Sequence, residues 1–160
     1  MMTSWMPPER WDALVRGEDC PLCTENRSTT PANELGYTIT DLRLSRLRLA
    51  KNQYVTGYCV LICRKHVRQP YHLSVDERML FFEDMLLAAQ ALENLFQPDK
   101  MNFQLLGNAV PHLHAHLIPR YYGDPAPGHP IDPTAQTVTL TESTYSQRVE
   151  QIQRAISALQ

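Results

Sequence analysis

Three histidines at alternate positions, His112, His114 and His116, are the residues of this chain best placed to do chemistry together. They stand in the run Pro111-His112-Leu113-His114-Ala115-His116-Leu117-Ile118-Pro119-Arg120. In an extended strand, positions i, i+2 and i+4 share one face. The spacing therefore predicts three imidazoles on one side, with Leu113, Ala115 and Leu117 turned towards a core. A desolvated imidazole needs a polar partner, so three in a row are poorly explained as packing. Two chemistries fit. All three imidazoles could bind one catalytic metal, as in three-histidine zinc sites. Alternatively one is a nucleophile and its neighbours orient it or serve a separate metal. A histidine nucleophile suits phosphorus chemistry, because neutral imidazole attacks near pH 7 and a phosphorylated imidazole is cleared by water.

The cysteines divide into two pairs. Cys59 and Cys63, four apart in an apolar stretch, read as small buried hydrophobes on one strand face. Cys20 and Cys23 are spaced CxxC in a polar, proline-bearing stretch. Such a pair is a set of metal ligands or a redox couple. A redox couple needs a strand before it and a helix opening at the first cysteine. Residues 24–30 read instead as polar loop, which favours the metal.

A sheet and a backing layer must position these groups. Pro7 and Pro8 open a short helix that Gly17 closes, followed by a loop over residues 18–33. Residues 35–49 mix apolar and basic side chains in near alternation, giving one or two strands with one wet face. Lys51-Asn52-Gln53 turns the chain into a second strand over residues 54–63. Ser74 and Glu77 form a capping box. Behind it Met79, Phe82, Met85, Leu86, Ala89, Leu92 and Phe96 recur at helical spacing, so a long helix runs to Phe96 and stops before Pro98. Strands are expected over residues 101–106 and 113–119, with a turn at Gly107-Asn108, then a loop over 121–133. A last helix, capped at Thr141 or Ser143, runs to Leu159 with Tyr145, Val149, Ile152 and Ile156 as its apolar stripe. The class is α+β with a mainly antiparallel sheet.

The run from His112 to Ile118 resembles the His-x-His-x-His motif, x being hydrophobic, of the histidine triad (HIT) superfamily. Residues 100–111 and Pro119-Arg120-Tyr121 are similar to the flanks of bacterial members, and the resemblance covers residues 20–133. It implies a HIT-like, mainly antiparallel five-stranded sheet with one long helix plus terminal helices. It also implies a single HIT-like domain over 1–160, with its core at about 18–133 and a C-terminal loop and helix at about 134–160. By the same resemblance His114 is the nucleophile that attacks an α-phosphate. His116 contacts that phosphate and helps protonate the leaving group. His112 joins Cys20, Cys23 and His66 in a structural Zn2+ site, two thiolates and two imidazoles making a closed tetrahedral set. The position where relatives carry a small hydroxyl residue is Ala109. Asn108, or the backbone amides of the Gly107-Asn108-Ala109 turn, would then bind phosphate. Asn102 is a candidate contact to the phosphates or ribose, and Asn52 to the ribose. Arg120 either pairs with a polyphosphate tail or stands exposed without a role.

The function implied is a nucleotide hydrolase or transferase acting on nucleoside polyphosphates, diadenosine polyphosphates among them, or on phosphoramidates, through a nucleotidyl-histidine. The competing readings are a hydrolase with a three-histidine catalytic zinc, and a nucleotide-binding module without turnover. A homodimer joined through the sheet edges and long helices is implied, with Phe81 and Phe82 in the mixed apolar face of the helix. The rest of the composition narrows the field. The chain has 160 residues, 43% hydrophobic, enough to bury a core without disulfide staples. Its 15 Lys and Arg against 17 Asp and Glu argue against a dedicated nucleic-acid or membrane-surface binder. The longest apolar run, residues 58–63, is far shorter than a membrane span. Residues 1–11 lack an apolar signal region, so the cytoplasm is expected.

Overall fold

The computed structural model describes residues 6–160; residues 1–5, part of the segment read above for a signal, lie outside it. Four helices, α1 (Pro8–Val15), α2 (Pro21–Arg27), α3 (Val75–Phe96) and α4 (Glu142–Ser157), accompany six strands. The strands are β1 (Ala32–Asn33), β2 (Gly36–Asp41), β3 (Ser45–Ala50), β4 (Cys59–Cys63), β5 (Lys100–Gln104) and β6 (His114–Arg120). They form one sheet in the order β1-β2-β3-β4-β6-β5, with every neighbouring pair antiparallel. The α+β class is as expected. The sheet has six strands where five were expected, because Ala32 and Asn33 fold back onto Tyr37 and Gly36.

Alternation along the strands gives the sheet two unlike faces. Leu47, Leu49, Cys59, Leu61, Cys63, Ala115 and Leu117 point into a core shared with Phe81, Ala88 and Leu92 of α3 and Tyr145, Ile152 and Ile156 of α4. The opposite face carries Arg46 and Arg48, Val60 and Ile62, and His114 and His116. Cys59 and Cys63 are buried on the core side, as their spacing predicts.

Helix α3 has the expected capping box: Glu77 N–H donates to Ser74 Oγ and Ser74 N–H donates to a Glu77 carboxylate oxygen. It ends with Gln97 in the left-handed region, φ 51°. Its buried stripe matches the expected one only in part. Met85, Ala89 and Leu92 are buried as expected, but Phe81, Asp84 and Ala88 also face inward, while Met79 and Leu86 are 60% and 51% exposed. Ala88, Ala89 and Ala91 are all buried, and their small side chains let the helix approach its neighbours closely. Phe81 is wholly buried and belongs to the core, not to a surface that a partner could meet. Asp84, also wholly buried, accepts from Leu44 N–H at 2.8 Å, Ser45 Oγ at 2.7 Å and Arg43 Nε at 3.2 Å. One carboxylate thus ties the long helix to the β2–β3 turn.

Two local expectations are corrected. Residues 18–33 are not all loop, since α2 starts directly after Cys20. A helix of 7 residues with Leu22 as its one large apolar side chain shows no hydrophobic period and is marginal alone. Tertiary contacts hold it: Asn26 Nδ2 donates to Cys63 O at 2.7 Å, Arg46 donates to Glu25 O at 2.6 Å, and the Glu25 carboxylate pairs with Arg48. Residues 54–58 are turn and not strand, so β4 begins at Cys59. Gly57 there has φ 82°, and a Cβ would come within 2.8 Å of the Phe96 ring, so only glycine fits. Among the described residues no helix is long and apolar enough to cross a membrane.

Candidate active site and metal centre

Strand β6 sets His114 opposite Ile62 and His116 opposite Val60 of β4. Both imidazoles are half-buried and line a cleft of about 340 Å³ on the sheet face away from α3 and α4, where Leu22 and Glu25 of α2 also line it. Their ring centroids lie 4.9 Å apart, edge to face. His114 Nδ1 is 2.6 Å from the carbonyl oxygen of His112. A carbonyl only accepts, so Nδ1 carries the proton and the free lone pair of His114 is on Nε2. His116 Nδ1 lies 2.7 Å from the hydroxyl of Tyr58. Burial lowers the pKa of both rings, and His116 is pushed down to about 4 by burial with the neighbouring His114 adding to it. Neutral imidazoles at pH 7 follow.

His112 does not share their surroundings. It precedes the first residue of β6, is fully buried, and turns its ring towards Cys20, Cys23 and His66. One ligand atom from each of these four residues lies within 4.8 Å of all the others. His112 Nδ1 is 3.5 Å from Cys20 Sγ, 3.4 Å from Cys23 Sγ and 3.2 Å from His66 Nδ1. Cys23 Sγ is 3.3 Å from His66 Nδ1. The edges of a tetrahedron built on zinc–nitrogen and zinc–sulfur bonds are about 3.3 Å between nitrogens and about 3.5 Å between nitrogen and sulfur. The four residues therefore fit a zinc ion. The outer partners agree, since His112 Nε2 is 2.8 Å from Cys63 O and His66 Nε2 is 3.1 Å from Val15 O. With both Nε2–H groups donating to carbonyls, each Nδ1 offers a lone pair to the centre. Burial holds the His112 ring neutral, its pKa pushed down to about 4.

The three histidines of the row thus do not converge on one point, and among the described residues the cluster able to hold a metal is the Cys20, Cys23, His66, His112 set. β6 starts two residues after His112, so the alternation that would align all three does not extend to it. Helix α2 does open at the CxxC pair, against expectation. Yet Cys20 is only 1% exposed and both sulfurs sit against imidazole nitrogens, an arrangement that suits metal ligands.

The remaining sequence-predicted residues fall in several places. Gly107 shares a shallow recess with His114, Arg68 and Gln69. Its φ of 75° turns the chain there, and among the described residues the amides of Gly107, Asn108 and Ala109 have no hydrogen-bond partner. The side chains of Asn108 and Ala109 are exposed. Asn52 lines the cleft, but its Nδ2 donates to Gln136 O at 2.7 Å and its Oδ1 accepts from Tyr54 N and Val138 N at 3.0 Å. Asn102 sits on β5 away from the cleft and accepts from Arg120 at 2.8 Å.

Arg120 neither reaches the cleft nor stands idle. Its guanidinium donates to both Asp124 carboxylate oxygens, to Asn102 Oδ1, and to the carbonyls of Ala126 and His129. All five N–H groups are used, and loop 121–133 is pinned to the sheet. Ile131 of that loop packs with Ala50, Val55, Tyr58 and Ile118 and so walls one end of the histidine face.

Tyr58, Arg48 and Lys51 line the cleft without having been singled out from the sequence. Tyr58 lies two residues from Val60, the strand partner of His116. That signal is usable only once the β4–β6 register is known.

The chain matches the HIT domain family over residues 36–123. Comparison with curated proteins finds no match. Among solved structures the chain is similar to a histidine triad protein from Marinobacter aquaeolei, at 28% identity and a TM-score of 0.71, covering 79% of this chain and 92% of that one. A Zn-bound histidine triad family protein from Mycobacterium smegmatis shares the fold at 16% identity and a TM-score of 0.63, covering 88% and 95%. So does Plasmodium falciparum diadenosine triphosphate hydrolase in complex with Cyclomarin A, at 16% identity and a TM-score of 0.58, covering 83% and 89%.

Proposed function

The chain belongs to the HIT domain family, and from that premise we propose that it cleaves nucleoside polyphosphates or phosphoramidates at the α-phosphorus by double displacement through His114. The observation that carries this reading is the 2.6 Å contact from His114 Nδ1 to His112 O, which leaves Nε2 as a lone pair at a cleft shared with His116. The similarity to a diadenosine triphosphate hydrolase supports the substrate class.

In the first step the Nε2 lone pair of His114 forms a bond to the α-phosphorus, and the bond to the leaving group breaks with its electron pair. The positive charge on the substituted ring is stabilised by the Nδ1–H bond to His112 O. His116 and the free amides of the 107–109 turn stabilise the phosphoryl oxygens. In the second step water attacks phosphorus, the P–N pair returns to Nε2, and one water proton passes to solvent. Phosphate or another acceptor in place of water would make the enzyme a phosphorylase or transferase.

Cys20, Cys23, His66 and His112 would hold a zinc ion, as the Zn-bound relative encourages. A bound zinc would supply a cross-link between the CxxC segment, the end of β4 and the start of β6. It would leave His114 free for chemistry.

A homodimer is part of the proposal. β5 is a free sheet edge, with Phe103, Leu105 and Leu106 exposed on it or just past it. Val75, Met79 and Leu86 of α3 are exposed as well. Four free cysteines suit a reducing, cytoplasmic setting.

The test is to quench the enzyme during turnover of diadenosine tetraphosphate and measure its intact mass. The expected result is a nucleotidyl adduct that maps to His114 and is absent from His114→Ala. An adduct on another residue, or turnover retained in His114→Ala, would overturn the reading.

A further inference from the structure

We infer that Tyr58 is a positioning residue that fixes His116 as a neutral hydrogen-bond donor at Nε2, and that this selects a leaving group able to depart as an anion, a polyphosphate and not an amine. The inference rests on His114 being the nucleophile and names the substrate class of that same site.

Tyr58 is 5% exposed, and its hydroxyl lies 2.7 Å from His116 Nδ1. Among the described residues the hydroxyl has no other partner. The two rings are nearly parallel, 19° apart, with centroids at 6.0 Å. A buried phenolic O–H without an acceptor is destabilising. Among the described residues Nδ1 is the acceptor within reach of the hydroxyl, so Tyr58 donates and Nδ1 accepts, which puts the ring proton of neutral His116 on Nε2. Burial raises the phenol's pKa, so the donor keeps its proton, and burial lowers that of His116, so the ring stays neutral. Among the described residues Nε2 has no partner, and it belongs to a side chain that lines the cleft.

A neutral Nε2–H can bond a phosphoryl oxygen but does not surrender its proton. With a phosphoanhydride none is required. The Nε2 lone pair of His114 bonds to the α-phosphorus, the bond to the bridging oxygen breaks, and its electron pair leaves on that oxygen as a phosphate anion. With a phosphoramidate the pair would leave on nitrogen, and the amine must gain a proton as the bond breaks. A positioned general acid contributes about 100-fold or more, and His116 held in this way does not provide it.

The experiment has two arms. Nitrogen-15 NMR of the histidine rings in the unliganded wild type should show His116 protonated at Nε2 and not at Nδ1. In Tyr58→Phe, which keeps the ring and the fold, the signal should move towards a mixture of tautomers. Turnover of a dinucleoside polyphosphate should exceed that of the matching nucleoside phosphoramidate by about 100-fold. Tyr58→Phe should lower kcat on the anhydride about 10-fold with KM little changed, and should narrow the preference. A wild-type ring protonated at Nδ1, or a tautomer and a preference unmoved by Tyr58→Phe, would overturn the inference and leave the nucleophile reading intact. A missing adduct on His114 would strike that reading and not the tautomer.

Discussion

The imidazole Nδ1 of His114 lies 2.6 Å from the backbone oxygen of His112, so a residue whose side chain belongs to the Cys/His cluster orients, through its main chain, the ring that faces the cleft. The cluster and the cleft share the peptide segment from His112 to His114. Loosening the first should disturb the second without touching it directly.

Cys23→Ser and His114→Ala separate the two roles. Purified His114→Ala should carry one zinc per chain, while Cys23→Ser should bind zinc at least about 100-fold more weakly, more than the loss of an outer partner costs. It should also unfold at lower temperature. Metal analysis and thermal unfolding in the presence of a chelator would check both. Zinc lost from His114→Ala but kept in Cys23→Ser would contradict the assignment.

Asp84 is a structural anchor remote from the histidine face. Asp84→Ala leaves Ser45 Oγ and the Leu44 amide without their acceptor, and the carboxylate's charge-assisted bonds to them and to Arg43 are lost. A destabilisation of about 3 kcal/mol is expected, visible in urea unfolding, with zinc content unchanged.

Loop 121–133 should loosen in acid. Arg120 holds the Asp124 carboxyl down at about 2 through its hydrogen bonds, helped by the Ala126 amide. A depressed carboxyl pKa stabilises above the ordinary value, and that stabilisation is lost as pH falls through the folded one. Protection of the loop against hydrogen exchange should therefore fall between about pH 4 and pH 2. Asp124→Asn should show weaker protection already at neutral pH and no such acid step.

The proposed dimer predicts that Phe103→Asp weakens self-association. Phe103 is 42% exposed on the free edge strand, and a charge there opposes edge-to-edge pairing. Sedimentation should show a dimer for the parent chain and a shift towards monomer for the variant. A parent chain that sediments as a monomer at micromolar concentration would remove this part of the proposal.

Much of the fold was legible because local patterns carry it. The Ser74–Glu77 capping box and the stop before Pro98 bounded α3 correctly, and alternation along residues 113–119 located β6 and its core-facing Leu113, Ala115 and Leu117. Helix α2 and the rotation of the α3 stripe beyond Met85, Ala89 and Leu92 were not legible. The first has no apolar period and is held by Arg46, Arg48 and Cys63 from other strands. The second was chosen by where the sheet and α4 press on the helix, which put Phe81 and Asp84 inside and Met79 and Leu86 outside.

The sequence by itself determined which residue types are available and which share a strand face: a histidine row, a CxxC pair, and the spacing that relates His114 to His116. Only the tertiary structure decided how those groups divide. Starting β6 at His114 releases His112 to Cys20, Cys23 and His66, and the β4–β6 register brings Tyr58 onto His116. The guanidinium of Arg120 goes to a loop and not to the cleft. Register and loop closure are long-range relations, set by how strands pair across the sheet, and no local pattern of residues encodes them.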